Sequence, residues 1–91
     1  QLAGQEVAVG RYYLERNNPL SAINRFKTVI DDHKSTPYYP EALFRLIEGY
    51  TMLGINHKVT GYVKILKKEF PNSEWNSLAL NLIKEYGIKV D

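Results

Sequence analysis

Apolar residues along this chain recur at three- and four-residue spacing, which predicts amphipathic helices and not strands. Ala3, Val7, Gly10 and Leu14 make a first stripe, with Tyr13 beside it, that ends at Asn17-Asn18-Pro19. Asn18 suits an N-cap and Pro19 a first helical residue, because a cap side chain satisfies an orphaned backbone N–H and proline has no such donor to orphan. The next helix sets Ala22, Ile23, Phe26, Val29 and Ile30 on one side and Asn24, Arg25, Lys27, Thr28, Asp31 and Asp32 on the other, and ends before Ser35-Thr36-Pro37. A third opens at Pro40, buries Leu43, Leu46, Ile47, Tyr50 and Leu53, and stops at Gly54, a residue suited to the left-handed C-cap conformation. Val59, Tyr62, Val63, Leu66 and Phe70 form the face of a fourth, which Pro71-Asn72-Ser73 breaks. A fifth runs from Glu74 to Tyr86 with Trp75, Ala79, Leu82, Ile83 and Tyr86 on its apolar side, and ends at Gly87.

These helices repeat. A shift of 37 residues carries Tyr13 to Tyr50, Phe26 to Val63, Val29 to Leu66, Tyr38 to Trp75, Ala42 to Ala79 and Leu46 to Ile83; of the pairs compared, only Ile30 with Lys67 loses apolar character. The reading is therefore an all-α helical-hairpin solenoid of tetratricopeptide type, with units at 1–37 and 38–73 and a terminal capping helix and tail at 74–91. If Ala3 is position 1 of such a unit, Gly10 and Ala22 take its small positions. They are expected to face each other, since two helices approach closely only where neither carries bulk. In the second unit Ile47 and Val59 occupy those positions, so Gly49 and Gly61 are expected to restore close approach. Two units and one helix fall short of the three repeats that usually bury a continuous core. The array is expected to be cut, open at its amino end, and to self-associate weakly there. The start at Gln1 in place of methionine reads as a processed product or excised fragment.

Composition narrows the function. Of 91 residues, 44% are hydrophobic and none is cysteine, which removes disulfides, thiolate metal sites and a cysteine nucleophile. No apolar run approaches the roughly 20 residues that span a bilayer. The net charge is only +2, with basic and acidic residues interspersed, so no footprint for nucleic acid appears. Lys64, Lys67 and Lys68 form the densest basic group, and their spacing suits a solvated helix face or a patch for an acidic partner. His33 and His57 stand alone near helix ends. Asp31 and Asp32, as helix neighbours, point about 100° apart and form no dyad. No phosphate loop, nucleophile elbow or metalloprotease motif occurs, so no catalytic residue, metal or cofactor is expected.

Binding residues are the better prospect. Tyr13, Phe26, Tyr50 and Trp75 fall at core spacing, whereas Tyr12, Tyr38, Tyr39 and Phe44 are less well explained by the stripes and are candidates for a surface, because tyrosine buries area at low entropy cost. Arg25 stands on a polar face and can fork onto a carboxylate. A groove lined by the first helices offers a different surface, where Arg11, Phe44, Arg45 and Glu48 could point toward a bound peptide.

The stretch Gly10-Arg11-Tyr12-Tyr13-Leu14 with Arg16, then Ala22-Ile23-Asn24-Arg25-Phe26, Pro40-Glu41-Ala42-Leu43, Leu53-Gly54 and Phe70-Pro71-Asn72-Ser73-Glu74-Trp75, resembles the carboxyl-terminal repeats of the BamD/ComL family of outer-membrane assembly lipoproteins. The resemblance implies a protein-binding scaffold at the periplasmic face of the bacterial outer membrane, anchored by a lipidated cysteine upstream of this chain. It also implies docking on the POTRA region of the β-barrel insertase BamA, and contact with other assembly lipoproteins. In that family the arginine of the Asn-Arg element is a BamA contact, and Arg25 matches it. Asn24, Lys27 and Thr28, with Arg16 and Tyr12 close by, then form the expected partner surface. Two departures stand out: Asn17 replaces a glycine that commonly follows Arg16, and His33-Lys34-Ser35 replaces a Tyr-Pro ending.

Overall fold

The computed structural model describes residues 2–90; Gln1 and Asp91, the last residue of the 74–91 segment, lie outside the described residues. Five helices follow in order: α1 (Leu2–Glu15), α2 (Pro19–Asp32), α3 (Tyr39–Leu53), α4 (Asn56–Glu69) and α5 (Glu74–Glu85). The chain is all-α, as the periodicity requires. Helix α3 is central and packs against each of the other four.

Local chemistry sets the helix ends. Asn18 caps α2 by accepting from the Ser21 N–H at 3.4 Å, and Pro19 follows as expected. Ser73 caps α5 by accepting from the Trp75 N–H at 3.1 Å. Helices α1, α3 and α5 all stop at a residue with positive φ: Asn17 (58°), Gly54 (72°) and Gly87 (65°). In each case the next N–H reaches back five residues, Asn18 to the Tyr13 carbonyl at 2.9 Å, Ile55 to Tyr50 at 3.0 Å and Ile88 to Ile83 at 2.9 Å. Left-handed backbone explains how asparagine stands in for glycine at position 17, since Asn is among the few other residues that tolerate it. Helices α2 and α4 end differently, with the His33 N–H on the Val29 carbonyl at 2.9 Å and the Phe70 N–H on Leu66 at 2.8 Å.

The core is one cluster that draws Val7 from α1, Ile23, Phe26 and Val29 from α2, Leu43, Leu46 and Ile47 from α3, Val59, Val63 and Leu66 from α4, and Ala79 and Ile83 from α5. At the close approach of α1 to α2, the ring of Phe26 is what lies nearest to Gly10. A Cβ on Gly10 would stand 2.5 Å from Cζ of Phe26, so Gly10 is small because an aromatic ring one helical turn beyond Ala22 fills the crossing. Gly49 does admit close packing, with Ile23 Cγ1 2.8 Å from where its Cβ would lie. Gly61 does not: it is exposed with open space around it.

Three further expectations change. Tyr39 and Phe44 are buried, Tyr39 against Phe70 at the end of α4 (centroids 5.6 Å apart) and Phe44 against Trp75 of α5 (5.7 Å), because α4 and α5 together cover faces of α3 that the first stripe had not claimed. Burial, reinforced by Glu69, pushes the Tyr39 phenol above its ordinary value. Tyr86, expected on the packed side of α5, lies at the helix end and is exposed. Large apolar side chains are exposed at both ends of the array, Leu2, Tyr12 and Leu20 at one and Leu78, Leu80 and Tyr86 at the other, and not at the amino end alone.

Candidate functional site

The α1–α2 hairpin turns at Asn17 and lays α2 against α1 so that Arg25 comes opposite Glu6. Arg25 Nη1 donates to Glu6 Oε1 at 3.2 Å, a long and partly exposed ion pair. Around it lies a shallow hollow of about 370 Å³, walled by Glu6, Tyr13, Ser21, Asn24, Arg25 and Thr28. Asn24, Arg25 and Thr28, three of the residues the sequence points to for a partner surface, come together here. Thr28 is turned back on its own helix, its hydroxyl donating to the Asn24 carbonyl at 3.3 Å. Lys27 is exposed on α2 but outside the hollow. Arg16 and Tyr12 form a separate pair at the end of α1, with the Arg16 guanidinium 4.4 Å from the Tyr12 ring centroid. Glu6 and Ser21 were not singled out by sequence; folding a hairpin about Asn17 sets Glu6 roughly opposite Arg25, and the opposite charges were the available signal.

The second candidate surface is built across α1 and α3. Arg11 forks onto Glu41, with Nε to Oε2 at 2.7 Å and Nη2 to Oε1 at 2.5 Å. Arg45 joins the same carboxylate, Nε to Oε2 at 3.1 Å, and reaches Glu48 Oε1 at 2.8 Å through Nη1. The Arg45 guanidinium also lies 5.5 Å from the Phe44 ring centroid and 5.4 Å from that of Trp75. Burial alone would raise the Glu41 carboxyl, yet the hydrogen bonds from Arg11 and Arg45 outweigh it and hold the group below the usual carboxylate value. Arg11 is raised in turn, chiefly by the same bond to Glu41. So Arg11, Arg45 and Glu48 do line a groove, with Leu14 and Glu15, but Phe44 is beneath it and presents almost no surface. Glu41 is the hub of this network, and along the chain its only signal is its place after Pro40 at the start of α3.

Nothing in either place resembles a catalytic arrangement. Among the described residues no group of three His, Cys, Asp or Glu is placed to hold a metal ion, and no helix is long and apolar enough to cross a membrane.

A family described as YfiO, outer membrane lipoprotein, matches residues 1–66. The chain belongs to that family. This YfiO-family chain is 47% identical over 85 residues to the outer membrane protein assembly factor BamD of Rickettsia prowazekii, which covers 93% of the chain and 34% of that relative. It is 43% identical over 89 residues to the BamD of Caulobacter vibrioides, covering 98% of the chain and 29% of the relative. A BamD of Neisseria meningitidis is 33% identical over 72 residues, 79% of the chain and 27% of the relative. The chain thus spans about a third of the length of the curated relatives it matches. No solved structure matches it significantly.

Proposed function

We propose that this chain is a non-catalytic docking module of an outer-membrane protein assembly factor, and that it binds the POTRA region of BamA through the α1–α2 face centred on Arg25. The observation that carries this reading is how differently two arginines are engaged. Arg11 and Arg25 each leave 46% of the side chain exposed, so exposure does not separate them. Their partners do. Arg11 has its fork filled by Glu41, whereas among the described residues Arg25 makes one 3.2 Å contact, to Glu6. A guanidinium so held beside Asn24 and Lys27 is placed to fork onto a partner's carboxylate, with Arg16 and Tyr12 as outlying contacts. Affinity of this kind rests on a few anchors and not on area. In this reading 1–37 and 38–73 act as repeats and 74–91 as the end of the array. The protein sits at the periplasmic face of the outer membrane through a lipid anchor on another part of the molecule, beside the other assembly lipoproteins.

The groove reading, in which a peptide lies over Arg11, Arg45 and Glu48, is disfavoured because their charges already satisfy one another. Calorimetric titration of the chain, and of Arg25→Ala, with the POTRA domains of BamA from the same organism at two salt concentrations tests the choice. Binding that falls with salt and weakens by about tenfold or more in the variant supports docking through Arg25. Absence of heat with the wild-type chain would turn attention to the groove.

A further inference from the structure

Helix α4 carries a glycine that nothing within the fold requires. Gly61 lies mid-helix, is exposed, and has no atom within 4 Å of where a Cβ would stand. Glycine is less favourable than alanine in a helix interior, and at Gly10 and Gly49 the neighbours Phe26 and Ile23 explain it. At Gly61 the only feature is on the outside: a shallow hollow of about 310 Å³ bounded by His57, Lys58, Gly61, Tyr62 and Ile65. Tyr62 stacks on Tyr50, with centroids 5.9 Å and planes 16° apart, so the aromatic side of the hollow packs on the core.

Charge marks the same face. Helix α4 has four lysines, Lys58, Lys64, Lys67 and Lys68, against Glu69 alone, a net of +3; the whole chain carries +2, so everything outside α4 sums to −1. His57, Gly61, Lys64 and Lys68 follow one another at spacings of four, three and four and so share one ridge. Among the described residues none of these lysines is in an ion pair, and the nearest carboxylate to the hollow's lining is Asp31 of α2, beside Tyr62 and not on the lysine ridge.

We propose that this face of α4 is a second docking surface, which takes an acidic helical segment of a partner protein whose backbone passes close over Gly61 while its carboxylates meet Lys58, Lys64 and Lys68. A missing Cβ lets another main chain approach, and Tyr62 and Ile65 give it apolar footing. An anionic lipid surface would also attract the lysines, but would have no use for the missing Cβ. The face shares no residue with the Arg25 hollow and stands independently of its role.

The test is an NMR titration of the ¹⁵N-labelled chain with a synthetic Ala-rich helical peptide of roughly 20 residues, long enough to hold helix, bearing Glu at i, i+4 and i+7 around one Leu. Gly61→Leu and the pair Lys64→Ala, Lys68→Ala are titrated alongside. Leucine at 61 enters open space on a helix that favours it, so the variant folds and its thermal midpoint should rise; lost binding there is not unfolding. Saturable shifts at His57, Lys58, Gly61, Tyr62 and Ile65, weakened at least about tenfold by Gly61→Leu and by the lysine pair, are expected. The proposal is overturned by no shifts, by unchanged affinity in Gly61→Leu, by shifts spread equally to Lys27 and Lys84, or by response only to phosphatidylglycerol vesicles.

Discussion

Glu41 at the start of α3 receives the guanidinium of Arg11 from α1, 30 residues earlier, through two bonds of 2.7 and 2.5 Å. A carboxylate only 4% exposed is tolerable because Arg45 adds a third donor, so its desolvation is offset on both oxygens. One side chain thereby ties α1 to α3 and continues through Arg45 to the rings of Phe44 and Trp75, where α5 begins. Glu41→Ala should lower stability by about 1–3 kcal/mol, less than for a fully buried pair because Arg11 can return to water. Urea unfolding reads this as a lower midpoint, and a change within a few tenths of a kcal/mol would remove the network from any stabilising role.

The same group predicts the acid response. Its folded-state carboxyl lies below the ordinary value of 4.5, so the unfolded chain binds the proton more readily. The stabilisation is therefore complete above that ordinary value and is lost as pH falls through the lower folded value. Between pH 5 and about 3 the thermal midpoint of the wild type should fall more steeply than that of Glu41→Gln, which cannot titrate there. Parallel slopes would show that other carboxylates govern acid unfolding.

Glycine-to-alanine substitution should act with opposite sign at two helical positions. Gly10→Ala drives a methyl to 2.5 Å from the fully buried Phe26 ring and should cost about 1–3 kcal/mol, partly recovered when Phe26→Leu is added. Gly61→Ala meets nothing and should gain up to about 1 kcal/mol. Calorimetric midpoints for the two variants decide both at once.

Glu6 competes with any acidic partner for Arg25. Glu6→Gln should leave stability within about 0.5 kcal/mol, since the pair is long and solvated, yet strengthen POTRA binding several-fold by freeing the guanidinium. Weaker binding in this variant would mean that Glu6 orients Arg25 and does not restrain it.

Much of the fold was legible because helices are local objects. Asn18-Pro19, Gly54 and Ser73 punctuate the chain through bonds to residues no more than five positions away, and the stripes of α2 and α4 matched the buried faces. Arg25 could be placed on a polar face for the same reason. What failed was any statement about which second surface a helix also meets. Tyr39 and Phe44 looked spare because the stripe of α3 was drawn for one neighbour, whereas α3 has four. The small residue at Gly10 was legible, but the close approach of the Phe26 ring to it depended on how the two helices are rotated about their axes.

By itself, then, the sequence determined the five helices of the described residues and their ends, because hydrogen bonds within a turn and 3.6-residue periodicity are fixed by near neighbours. Only the tertiary structure decided that Arg11 is spent on a two-bond fork with Glu41 while Arg25, among the described residues, makes a single long contact with Glu6. Two arginines of equal exposure look alike along a chain; what distinguishes them is the carboxylate that packing brings within hydrogen-bond range of each.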